Sequence, residues 1–164
     1  MAAAEEKKER WTMNVALSTA IIAVFAAIAG MLGNHHSNEA VLEQIKSSDQ
    51  WAYYQSKGIK EELYKNTSQT LIALGKPIPA DNIQTIDRYE KEKKEIKEGA
   101  EKKEKSSEVH LHMHVVFSRA VTIFQVAVAL SAVAILTRKK LIWYLSLALA
   151  GAGILFFVLG FMVV

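Results

Sequence analysis

Val115–Val164 reads VVFSRAVTIFQVAVALSAVAILTRKKLIWYLSLALAGAGILFFVLGFMVV, and the fold turns on how it is interpreted. Three consecutive cations, Arg138, Lys139 and Lys140, divide it into two apolar runs. Each run is close to the roughly 20 residues a helix needs to cross a bilayer. The stretch therefore reads as two antiparallel spans joined by a tight cationic turn. An earlier run, Val15 to Gly33, carries no ionisable side chain and supplies a third span. The charged middle of the chain becomes an extramembrane arm between the first and second spans.

The expected class is an all-α membrane protein. It has three transmembrane helices, with a long antiparallel coiled-coil hairpin between the first and second. The expected boundaries are a cytoplasmic tail over 1–10, spans over 11–33, 115–137 and 141–164, a hairpin stalk over 34–114 with its tip near 76–80, and a cytoplasmic turn at 138–140.

Charge supports this division. From Asn34 to Arg119 there are 14 Lys or Arg against 14 Asp or Glu, and the first ten residues also balance. The net charge of +3 is therefore the Arg138-Lys139-Lys140 triplet alone. A nucleic-acid partner needs a concentrated basic surface, and the sequence offers none. Cysteine is absent, which excludes disulfides and thiolate metal sites.

The first run competes with a signal peptide, because Ala27-Ile28-Ala29 resembles a cleavage site. Its length exceeds a usual signal core, so it is expected to stay as an anchor. Ala16, Ala20, Ala23, Ala27 and Gly30 recur at helical spacing, the pattern that lets helices approach closely in lipid. Gly33 and Asn34 are candidate helix-ending residues, although the helix can also run on.

Beyond the span, Val41, Ile45, Ser48, Ala52, Gln55, Ile59 and Leu63 advance by threes and fours, like a coiled-coil seam. Trp51, Tyr53 and Tyr54 form an aromatic cluster within it. They serve either packing against the returning helix or contact with a protein partner or neighbouring subunit. The helix should stop near Gly75, since Pro77 and Pro79 follow. Asp81 and Gln84 resemble a capping box that starts the return helix. That helix offers Glu90–Lys94, Glu98–Lys102 and Glu101–Lys105 at i, i+4. Its apolar positions, Ile83, Ile86, Tyr89, Ile96 and Ala100, are sparse. So thin a seam argues for association of several hairpins into a homo-oligomer. At 1.5 Å per residue the stalk should reach roughly 50–60 Å from the membrane.

All five histidines fall where stalk meets membrane: His35 and His36 on one arm, His110, His112 and His114 on the other. They suit the interface as amphipathic side chains, or zinc or copper binding, or pH sensing. No other cofactor is expected. Arg119 lies one turn inside the second span, where it can snorkel, and Gln125 lies deeper, where an amide usually bonds a neighbouring helix. Trp143 and Tyr144 are an interfacial pair, and Ala148, Gly151, Ala152 and Gly160 are close-packing candidates. The positive-inside rule puts the cationic turn and N-terminus in the cytoplasm and the stalk outside.

Three strings, Asn14-Val15-Ala16-Leu17, Asp49-Gln50-Trp51-Ala52-Tyr53-Tyr54-Gln55 and Ala134-Ile135-Leu136-Thr137-Arg138, with the order of segments, resemble a family of small bacterial membrane proteins. That family is known only as a domain of unknown function. The resemblance implies a bacterial inner-membrane location and brings no activity, ligand or catalytic residue. The leading expectation is a non-enzymatic, self-associating membrane protein, surrounded by membrane lipids, that presents a coiled-coil stalk as a scaffold or to a protein partner. The alternative is an oligomeric channel or transporter gated by metal or protons at the histidines. No phosphate loop, nucleophile elbow or metalloprotease motif supports an enzyme.

Overall fold

A computed structural model describes residues 2–162. Met1, and Val163 and Val164 at the end of the expected third span, lie outside the described residues, as do the side chains of residues 2–5, 7 and 8. The chain is helix α1 (Ala2–Ala73), α2 (Ala80–Thr137) and α3 (Lys140–Gly160). Each contains a stretch long and apolar enough to cross a membrane. The fold is all-helical, with no strand among the described residues.

Two compact units share α1 and α2: residues 1–39 with 109–164, and residues 40–108. All five histidines fall in the first unit.

In the apolar unit, α1 buries Val15, Ile22 and Ala29, seven residues apart, with Phe25 and Ala26 half-buried between them. On α2, Val116, Phe117, Ala120, Phe124, Ala127, Ser131 and Ala134 form the continuous buried face. On α3 the buried positions are Ser146, Ala150, Gly153 and Gly160. Lipid is as apolar as leucine, so burial alone cannot hold such helices together and close packing must. Phe124 and Phe117 achieve this by lying against glycines. A Cβ added at Gly153 would sit 2.6 Å from Phe124, and one at Gly160 would sit 2.7 Å from Phe117. Hydroxyls add two buried bonds: Ser131 and Ser146 meet at 2.6 Å, and Ser146 Oγ also donates to the Ala127 carbonyl at 2.9 Å. Trp143 Nε1 donates to Ser18 Oγ at 3.1 Å, tying α3 to α1.

The small residues of the spans divide between inward and outward faces. Of the stripe on α1, Ala16, Ala20, Ala23 and Ala27 point away from α2 and α3, whereas Gly30 is half-buried, its virtual Cβ 3.9 Å from Val121 Cγ2. Gly151 and Ala148 are exposed; the close approaches are made by Gly160, as expected, and by Gly153, which is not among the candidates. α1 runs straight through Gly33, which is buried with Phe117 Cβ 3.4 Å from its virtual Cβ and needs no positive φ. Arg138 adopts φ 56°, closing α2, and Lys140 already belongs to α3, so the turn is Arg138 and Lys139.

In the polar unit the two helices run antiparallel, because Ala40 meets Ser107, Ser47 meets Ala100, Glu61 meets Lys93 and Tyr64 meets Tyr89. The face that α1 turns to α2 is not the expected apolar stripe. It is Ala40, Glu43, Ser47, Glu61 and Ser68, all buried. Small residues explain the choice. Ser47 Oγ donates across to the Ala100 carbonyl at 3.1 Å and Ser107 Oγ to the Ala40 carbonyl at 2.7 Å, contacts that need closely spaced backbones. Longer side chains close the remainder by charge: Glu43 accepts from Lys46 and Lys103, and Glu61 from Lys65 and Lys93. These lysines hold the Glu43 carboxyl at a pKa of about 2 and lower Glu61 as well. Val41, Ile45, Ile59 and Leu63 are left 56%, 52%, 72% and 64% exposed.

The turn between the helices lies where expected. Gly75 takes φ +65°, with Gly75 N–H donating to Ile72 O and Lys76 N–H to Leu71 O, both at 2.9 Å. This is the double-bonded helix end that favours glycine. α2 begins one residue earlier than the capping-box reading: Asp81 sits inside the first turn, where its charge favours the helix N-terminus. Of the three expected i, i+4 pairs, Glu90 instead takes Lys65 at 3.0 Å, and Glu101 lies 3.7 Å from Lys97.

Candidate functional site

Helical spacing on α1 and α2 brings two of the five histidines into direct contact. His36 Nδ1 and His110 Nδ1 are 3.0 Å apart, so one ring donates its N–H to the lone pair of the other. Their rings stack at 5.3 Å, and His36 also lies flat on Phe117 at 5.7 Å. His35 adds a third ring 5.3 Å from His36. Burial lowers the His36 pKa first, then the neighbouring His110 and His35, with Glu39 opposing.

The other two go elsewhere. His114 Nδ1 lies 2.8 Å from the Gly33 carbonyl, which can only accept, so that nitrogen carries the proton. His112 is exposed and lines a groove with Arg119. Among the described residues no group of three His, Asp or Glu side chains is placed to hold a metal ion. His36 and His110 thus provide two imidazole nitrogens, and a zinc or copper ion there would take its further ligands from solvent or another chain.

The remaining candidates are dispersed. Trp51 and Tyr54 meet edge-on at 5.6 Å, with Lys93 over the Tyr54 ring at 5.3 Å. Tyr53 is half exposed, with Lys57 over its ring at 5.1 Å. Gln125 and Arg119 are both exposed on α2, and neither has a hydrogen-bond or ion-pair partner among the described residues. Arg138, Lys139 and Lys140 are exposed at the α2–α3 turn. Sequence reasoning missed the Ser131–Ser146 bond and the Gly153–Phe124 contact. Isolated serines and glycines in an apolar run carry no sign of which helix face they occupy.

Three helices fit to span a membrane, with a charged helical pair set between the first two, define a membrane protein. The chain belongs to the family described as a domain of unknown function, DUF4337, which it matches over residues 11–163. No curated protein and no solved structure matches it.

Proposed function

We propose that this is a non-enzymatic, self-associating bacterial inner-membrane protein. Its extramembrane hairpin pairs with those of neighbouring copies as a coiled-coil stalk that serves as a scaffold or holds a protein partner. One observation carries this reading: the apolar stripe Val41, Ile45, Ile59 and Leu63 is exposed on the charged polar unit, which this reading puts outside the lipid. Apolar area gains roughly 25 cal/mol per Å² when removed from water. Copies inserted in one membrane are parallel, so like stripes can face one another in register, as in a parallel coiled coil. The exposed Gln125 and the alanines facing away from the bundle suit the same association within lipid. The positive-inside rule favours a cytoplasmic N-terminus and a periplasmic stalk.

Native mass spectrometry from mild detergent tests the reading. An oligomer is expected, reduced to monomer by Ile45→Glu with Ile59→Glu. A wild-type monomer would remove it.

A second reading, an oligomeric channel or transporter gated at the histidines, draws on the His36–His110 contact. It requires liposome ion flux that responds to zinc or between about pH 5.5 and 7.5. Unchanged conductance would exclude it.

A further inference from the structure

Arg119 poses an electrostatic problem that the described residues do not solve. It is exposed one turn inside the apolar part of α2, and a guanidinium stays charged at any physiological pH. From Val109 to Val164 there is no Asp or Glu, and no carboxylate pairs with Arg119 among the described residues. Its long side chain can snorkel toward the interface, and an anion that meets the guanidinium there offsets the remaining cost of a cation at that depth.

The surface around it is shaped for such an anion. Two grooves, of about 400 and 360 Å³, flank the arginine, and Arg119 and Phe156 line both. The first is walled by Val115 and Ile123 and the second by Val116, Leu159 and Met162. One cation thus stands between two apolar troughs. That is the arrangement of a diacyl phospholipid, with one phosphate and two chains. Ser118 and His114, on the edge of the first groove, supply further polar groups. Thr122 is already committed, donating to the Ser118 carbonyl at 3.0 Å, but the Ser118 hydroxyl makes no bond within the described residues. His114 spends its Nδ1 proton on Gly33, so its other ring nitrogen is an acceptor suited to a headgroup hydroxyl and not to the phosphate.

We propose that the paired grooves about Arg119, between α2 and the C-terminal half of α3, bind an anionic phospholipid. Its phosphate is clamped by the guanidinium, and its chains lie along Phe156 on either side. Guanidinium and phosphate match as a two-bond fork, which a lysine reproduces only as a point charge. A carboxylate from a second copy would satisfy the charge but would leave both troughs unexplained.

The test uses the full chain in mild detergent with phosphatidylglycerol, phosphatidylcholine and inorganic phosphate as probes. Retained lipid is read by native mass spectrometry. Phosphatidylglycerol is expected to be held about tenfold over phosphatidylcholine, which carries the same phosphate but whose choline cation neutralises the headgroup and competes with the guanidinium for it. Arg119→Gln should abolish that preference, Arg119→Lys should keep part of it, and Lys139→Gln, at the far turn, should leave it intact. Helical content by circular dichroism confirms that each variant is folded. Equal retention of the two lipids would overturn the proposal, as would displacement of phosphatidylglycerol by inorganic phosphate. So would an Arg119→Gln variant that keeps its lipid preference but loses self-association, which would assign the partner as a carboxylate of a second copy.

Discussion

Gly153 and Gly151 lie two residues apart on α3, and replacing each with alanine should have opposite consequences. Both changes gain the same helix propensity, about 1 kcal/mol over glycine. At Gly151 the new methyl meets nothing within 4 Å, so that gain is kept. At Gly153 it lands 2.6 and 2.7 Å from Phe124 Cε1 and Cδ1. The ring cannot swing away, because Phe124 is fully buried and stacked on Phe25 at 6.1 Å between centroids. Overpacking of this kind costs roughly 1–3 kcal/mol. Propensity cancels in the comparison, so that whole amount should separate the two variants. At about 2–4 °C per kcal/mol for a chain of this size, the melting points should differ by several degrees. Thermal unfolding of the purified protein in one detergent, followed by tryptophan fluorescence, measures it. Phe124→Leu placed on Gly153→Ala should recover part of the loss, as coupled neighbours do. If Gly153→Ala melts at or above Gly151→Ala, α3 does not pack on α2 through this glycine.

Other outcomes follow from contacts already described. Ser146→Ala removes both the Ser131 bond and the Ala127 bond, and should cost about 1 kcal/mol in the same melts, the usual scale within membranes. Acid should loosen the polar unit. Glu43 and Glu61 have pKa values below the ordinary 4.5, so their stabilisation is complete above 4.5 and fades as pH falls through the lowered values, about 2 for Glu43. The protection of residues 40–108 against hydrogen exchange, taken relative to the intrinsic rate at each pH, should fall across that range, and Glu43→Gln should flatten its Glu43-dependent part. His36 behaves similarly at higher pH. Its pKa is lowered from 6.5, so the unfolded chain takes the proton first and the His36–His110 contact weakens as pH drops below 6.5. Melting curves between about pH 5.5 and 7.5 should show this slope in wild type and lose it in His36→Asn.

The sequence made the three spans and the Gly75 turn legible because unbroken apolar length and paired prolines have few other interpretations. It did not reveal which face of each helix packs. Ala16, Ala20, Ala23 and Ala27 have the spacing of an interface, as do Val41, Ile45, Ile59 and Leu63, yet both stripes face outward. In lipid, and in a hairpin closed by serine hydroxyls and lysine–glutamate pairs, burial does not choose the face. Backbone approach chooses it, and that depends on a small residue on at least one side of the contact, as Ser47 faces Ala100 and Gly153 faces the Phe124 ring. The histidines were legible as a group through their common level. Only the helix phases separate the contacting pair, His36 and His110, from His112 and His114.

The exposed stripe is the centre of this account, and the absence of cysteine makes it directly accessible to cross-linking. Single cysteines at Ile45 and Ile59, and at the exposed Glu95 on α2 as a reference, are introduced and oxidised in native membranes. Parallel copies with facing stripes should give disulfide-linked dimers at Ile45→Cys and Ile59→Cys and little at Glu95→Cys. Dimers absent at both stripe positions, or formed as readily through residue 95, would contradict self-association through this face.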